Sequence, residues 1–188
     1  MKTTRRILSL LLVLAMIACL SVTAFAEGVT PRVEVTIQPN DGTTSTFTIQ
    51  ASAGQTMYDA VRASGGAKWK TVADYYDSSK THKVLTSYKG YASTPINTSN
   101  AVDQAKLSAK GYDYSKITWY SSRPGYGMIS YDGTTYTFIY AGYDWTYSSN
   151  IHPTIYDYMC CYSIAANEVV HLNYEFNVSV WTSTTPLV

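Results

Sequence analysis

An α+β fold, with an antiparallel sheet packed on one main helix, is what this sequence predicts, and three observations carry the prediction. Alternating apolar and polar residues open the body of the chain as a hairpin, and a single well-capped helical segment follows. From Ile117 the alternation returns and runs almost to the end.

The first 26 residues stand apart. Lys2, Arg5 and Arg6 precede an apolar run from Ile7 to Leu20, and Ala24-Phe25-Ala26 places small residues at both cleavage positions. That order is a secretory signal peptide, too short and too well ended for a membrane span. Residues 27–188 are then expected to be a single exported domain, secreted or held in the cell envelope.

Arg32 to Gln38 puts Val33, Val35 and Ile37 on one side and Arg32, Glu34 and Thr36 on the other, a half-buried strand. Pro39-Asn40-Asp41-Gly42 is turn chemistry, and alternation resumes at Thr46 through Phe47 and Ile49 to Gln50. Thr56 then stands three residues before Asp59, the spacing of an N-cap that accepts a backbone N–H while an acid complements the helix end. Met57, Ala60, Val61 and Ser64 share one helical face, and Gly65-Gly66 supplies the stop.

Trp69, Val72, Ala73 and Tyr76 repeat the helical spacing, so a second, shorter helix is expected there. Val84 to Tyr88 is a strand. Residues 91–116 form a polar insertion in which Asn100 and Asp103 cap a short helix that ends at Gly111. Beyond it, Ile129 to Tyr131, Asp132-Gly133 and Thr134 to Tyr140 make a second hairpin, since Asp-Gly supplies the positive φ of a tight turn. Gly142 to Pro153 is expected to be an aromatic loop. Met159 to Ile164 and Val169 to Trp181 close the chain as strands around a turn at Ala165–Glu168. On the last of them Val170, Leu172, Tyr174, Phe176, Val178 and Val180 share one face, with His171, Asn173, Glu175 and Asn177 opposite.

Charge excludes one partner class. Cleavage would remove three of 14 bases and none of 13 acids, leaving a slightly negative chain with no basic run, so no nucleic acid is expected. No second apolar stretch reaches membrane length, so no membrane span is expected after cleavage. Tyrosine is the anomaly: there are 18, most of them between Tyr112 and Tyr174, while leucine after the leader is reduced to Leu85, Leu107, Leu172 and Leu187. Tyrosine suits half-buried strands, ring inward and hydroxyl wet, and it also builds rigid binding surfaces.

Val33-x-Val35-x-Ile37 followed by Gly54-x-Thr56-x-x-Asp59-Ala60-Val61 resembles the opening of the transcobalamin-like C-terminal domain family. Tyr136-x-Phe138-x-Tyr140-Ala141-Gly142 is similar to that family's aromatic stretch, and Tyr162-x-Ile164-x-x-Asn167-Glu168-x-Val170-x-Leu172-x-Tyr174 to its closing strand pair. The likeness runs in order over about residues 32–175. Ala141 and Asn167-Glu168 depart from the family pattern, and residues 91–116 have no counterpart. The resemblance implies a β-grasp-like, mixed or antiparallel sheet on one helix. It also implies cobalamin as an alternative ligand, in which case the chain would be an accessory corrinoid binder working with a second subunit.

No catalytic motif is legible. The chain lacks a Gly-x-Ser-x-Gly elbow, a cysteine-protease signature around Cys160 and a Gly-rich phosphate loop, and its acids are scattered. The chain is therefore not expected to be an enzyme; a hydrolase is the third reading. Cys160-Cys161 would face opposite sides of a strand as small apolar fillers, with a disulfide between neighbours, or pairing with another chain, as the alternatives. A zinc site would have to recruit His152, His171 and the cysteine pair, residue types zinc takes, but the spacing matches no compact motif, so no metal is expected. His82 reads as a solvated loop residue. What remains is an aromatic surface: Tyr140, Tyr143, Trp145, Tyr147 and Trp119 are the candidate ligand contacts of a non-catalytic binding module. Its partner would be an unidentified extracellular ligand, envelope protein or glycan.

Overall fold

The computed structural model describes residues 28–74, 77–155 and 157–187; the signal peptide of the sequence reading lies outside them. The first hairpin is β1 (Arg32–Ile37) and β2 (Ser45–Gln50), paired antiparallel with Val33 opposite Ile49 and Val35 opposite Phe47. Val33 and Val35 are fully buried, as the alternation requires. Helix α1 (Met57–Ala63) follows. The Thr56 hydroxyl accepts from the Asp59 amide at 3.1 Å and donates to the Asp59 carboxylate at 2.6 Å, so cap and acid satisfy each other. Met57, Ala60 and Val61 point into the core.

The remaining strands are β3 (Ala67–Ala73), β4 (Thr81–Tyr88), β5 (Tyr91–Ala92), β6 (Thr94–Pro95), β7 (Thr118–Trp119), β8 (Tyr126–Tyr131), β9 (Tyr136–Ser149) and β10 (Val169–Ser183). The second helix, α2 (Ala101–Ala109), sits between β6 and β7 and is capped by Asn100. The main sheet runs β2-β1-β10-β9-β8-β7, with β6 joining β9 beyond the end of β8; β3-β4-β5 form a second, three-stranded sheet. β1 pairs in parallel with β10, and β10 pairs with β9 along its whole length from Val170 opposite Ser149 to Ser183 opposite Tyr136. Such long, twisted partners curl the sheet into a half-barrel.

The fold class therefore differs from the α+β expectation. The protein is mostly β, and its two α-helices among the described residues, of seven and nine residues, are too short to form a layer. The core lies instead where the curled sheet meets the smaller one. Tyr88 of β4 meets Trp145 of β9 edge-on at 5.7 Å, and Tyr91 of β5 packs on Tyr174 of β10 at 5.5 Å. Leu172, Val170, Leu85 and α1 fill the space around them.

Local expectations fail in three places. The second helix is the strand β3: with no cap and β-branched Thr71 and Val72 in a short window, pairing with β4 decides the conformation. Met159 to Ile164 is a turn followed by a single bridge from Ser163 to Thr56, not a strand. The aromatic loop from Gly142 is the continuation of β9 to Ser149. Gly142 interrupts nothing, because a Cβ there would meet the Thr94 carbonyl at 2.6 Å; the glycine admits β6.

The polar insertion is also better buried than its composition suggests. Leu107 is fully buried, and Asp103, 2% exposed, accepts the Asn97 amide at 2.9 Å and the Tyr143 hydroxyl at 3.1 Å, fastening α2 to β9. At the other end of the core Glu168 is 1% exposed. It accepts the Ala165 amide at 2.7 Å and the Tyr162 hydroxyl, closing the turn into β10.

Candidate functional site

The five aromatic candidates do not form one surface. Tyr143 and Trp145 are core residues, 4% and 8% exposed. The Tyr143 ring lies under the Lys106 ammonium at 4.8 Å, and burial, with Asp103 beside it, raises its phenol above the ordinary value. The Trp145 indole donates to the Tyr91 carbonyl at 3.1 Å and packs on Tyr174 at 5.1 Å. Strand alternation explains both: they point inward from β9, which the sequence reading took for a loop. As ligand contacts they are corrected to packing residues.

Tyr147 is half-buried, and its hydroxyl donates to the Asp157 carbonyl. Tyr140 is half-buried against Tyr126, with ring centroids 4.9 Å apart; burial first, then Asp144, pushes its phenol up to about 12. Trp119 stacks on Tyr114 at 5.8 Å, and its buried indole nitrogen has no hydrogen-bond partner among the described residues.

Two clefts remain. The first, about 320 Å³, opens beside the loop that joins β7 to β8. Trp119, Tyr120, Tyr126, Ser121, Thr98 and Pro124 are among its walls, and none of the residues lining it is charged. Ser121 to Pro124 of the loop are exposed, whereas Gly125 is pinned beneath Tyr140 and Pro95. The second cleft, about 300 Å³, lies between β4 and residues 155 and 157–159, against Tyr147, Tyr158, Lys83, Asp144 and Asp157.

Next to the second cleft lies a group the sequence reading did not assemble. Cys160 and Cys161 are free thiols in the turn after Tyr158, with their sulfurs 3.8 Å apart. His82 of β4 turns Nδ1 toward both, at 3.6 Å from Cys160 and 3.4 Å from Cys161. Its Nε2 meets the Asp74 carboxylate at 2.9 Å, and its ring stacks on Tyr158 at 4.1 Å, 4° from parallel. The imidazole is 11% exposed rather than solvated.

Each thiol responds to its surroundings. Burial pushes Cys160 up, but the Lys83 amide, His82 and Cys161 together hold it below the ordinary thiol value. Cys161 is raised, by burial and then by its neighbour. His82 is raised, chiefly by Cys160, against the effect of burial and with help from Asp74.

His152 and His171, the histidines the sequence offered, are elsewhere: His152 packs edge-on against Tyr162, and His171 sits 3.5 Å from Glu34. No spacing rule could have found His82, because β4 and the 158–161 turn meet only through the tertiary fold. Comparison with protein-family models, with curated proteins and with solved structures finds no match.

Proposed function

We propose that this chain is a non-catalytic binding module of the cell exterior, and that the cleft beside the β7–β8 loop is its ligand seat. Supporting the reading is the make-up of that cleft: Trp119, Tyr120 and Tyr126 supply ring faces, Thr98 and Ser121 supply hydroxyls, and the lining carries no charge. Aromatic faces flanked by neutral hydrogen-bonding groups suit the C–H face and hydroxyls of a sugar ring, and an uncharged lining offers no counter-charge to a phosphate. The ligand class is a neutral envelope glycan. The unpartnered Trp119 indole is a donor that an entering acceptor could complete after a small side-chain shift.

A corrinoid is larger than either cleft and would lie across this face rather than within it. Titrating the full chain with soluble N-acetylglucosamine oligomers, followed by tryptophan fluorescence and by NMR, tests the reading. Saturable shifts that disappear in Tyr120→Ala and Tyr126→Ala are expected. Shifts that persist in both folded variants, or none at millimolar sugar, overturn it. Cyanocobalamin is the second probe; an absorbance change on its titration would reassign the face to a corrinoid.

A further inference from the structure

We propose that His82, Cys160 and Cys161 form a zinc site with three protein ligands and one open coordination position, separate from the aromatic cleft. A tetrahedral ion with Zn–S near 2.3 Å and Zn–N near 2.0 Å requires S···S of about 3.8 Å and S···N of about 3.6 Å. The observed separations are 3.8 Å between the sulfurs and 3.6 and 3.4 Å from them to Nδ1. The three donor atoms thus already stand at the corners of one face of that tetrahedron.

The surroundings fit a ligand set rather than a chance meeting. The Asp74 carboxylate at Nε2 holds the proton on that nitrogen, which leaves the Nδ1 lone pair directed at the sulfurs. Tyr158 fixes the ring plane by stacking, and the Lys83 amide donates to the Cys160 sulfur at 3.4 Å, a bond that favours thiolate. Adjacent cysteines converge here because they lie in a turn, where the Cys161 and Tyr162 amides both return to the Tyr158 carbonyl at 2.7 and 3.0 Å. On a strand they would point apart.

Cys–His–Asp is also the connectivity of an activated nucleophile, and the second thiol distinguishes the two. Attack by an activated thiolate uses one sulfur and gives the second no part, whereas in a metal site the sulfur 3.8 Å away is the third ligand. On binding, each thiol gives its proton to the solvent and both thiolates enter the coordination sphere. The open position, on the side of exposed Cys161, leaves the ion able to exchange or to accept a ligand from a partner.

The test uses the full chain, freshly reduced under nitrogen, with Co²⁺ as the spectroscopic stand-in and Zn²⁺ as competitor. One equivalent of Co²⁺ is expected to produce a sulfur-to-cobalt charge-transfer band and tetrahedral visible bands, both abolished by Zn²⁺. Cys161→Ser, at an exposed position that folding does not need, should lose about half the charge-transfer intensity. Asp74→Asn should weaken binding by about 10- to 100-fold, and His171→Gln should change nothing. Zn²⁺ should also slow alkylation of both thiols, read by mass spectrometry, which does not depend on any variant folding. Absence of the sulfur–cobalt band in the reduced chain, its survival in Cys161→Ser at full strength, or alkylation at the same rate with and without Zn²⁺ overturns the proposal. None of these results depends on sugar binding.

Discussion

Glu168 offers the sharpest test of what holds the turn into β10. Its carboxylate is 1% exposed and accepts the Ala165 amide and the Tyr162 hydroxyl. Burial alone would raise its pKa, but the bonds from Ser149, Tyr162 and Ala165 outweigh burial and hold it below the ordinary 4.5. Replacing it with alanine strands the buried Tyr162 hydroxyl and the part-buried Ala165 amide at about 1–3 kcal/mol each, so Glu168→Ala should lose about 2–6 kcal/mol. Glu168→Gln keeps an acceptor oxygen but weakens charge-assisted bonds to neutral ones, a loss of about 1–2 kcal/mol.

The sign with pH follows from the lowered native value. The unfolded chain takes up the proton first as the solution is acidified, so the stabilisation is complete above about pH 4.5 and fades as pH falls through the native value. Urea unfolding followed by tryptophan fluorescence at pH 7 and at successive values below 4.5 reads both effects. Wild type should lose stability more steeply in acid than Glu168→Gln. An alanine variant within about 0.5 kcal/mol of wild type at pH 7, or parallel acid limbs for wild type and glutamine, would refute the reasoning.

Two further substitutions probe the frame. Gly125 holds φ +83°, and a Cβ there would stand 2.8 Å from the Pro95 side chain and 2.9 Å from the Ala141 carbonyl. Gly125→Ala should therefore cost at least about 2 kcal/mol, seen as a lower urea midpoint; an unchanged midpoint would contradict the packing. Thr56→Ala should cost about 1 kcal/mol by loss of the α1 cap, and a double-mutant cycle with Asp59→Ala should show less than the summed effect because one bond is shared.

The parts of this fold that local chemistry decides were legible from the residues. The β1–β2 and Asp132-Gly133 hairpins, the Thr56 and Asn100 caps and the inward face of β10 through Phe176 all follow from period, turn and cap residues. Where pairing partners decide, pattern failed. The apolar spacing at Trp69 to Ala73 is that of a helix, and pairing with β4 made the segment a strand. Gly142 has the composition of a loop start and the job of a close contact. Glu168 looked like turn polarity, and only the fold shows it enclosed.

The site was less legible. Trp119 kept its place beside a cleft, but Tyr143 and Trp145 were drawn inside by the strand that extends through them. Cys160-Cys161 drew attention as a pair, yet the histidine that completes it lies on a strand of the other sheet, beyond the reach of any spacing argument.

The parallel pairing of β1 with β10 carries a consequence for how the molecule is made. The strand at the centre of the large sheet is made long after β1, so the β1–β2 hairpin waits without its principal neighbour until β10 is synthesised. Loop closure on that scale is slow. A nascent chain of this design cannot close its interior until β10 has been made, because that strand carries the register of both β1 and β9.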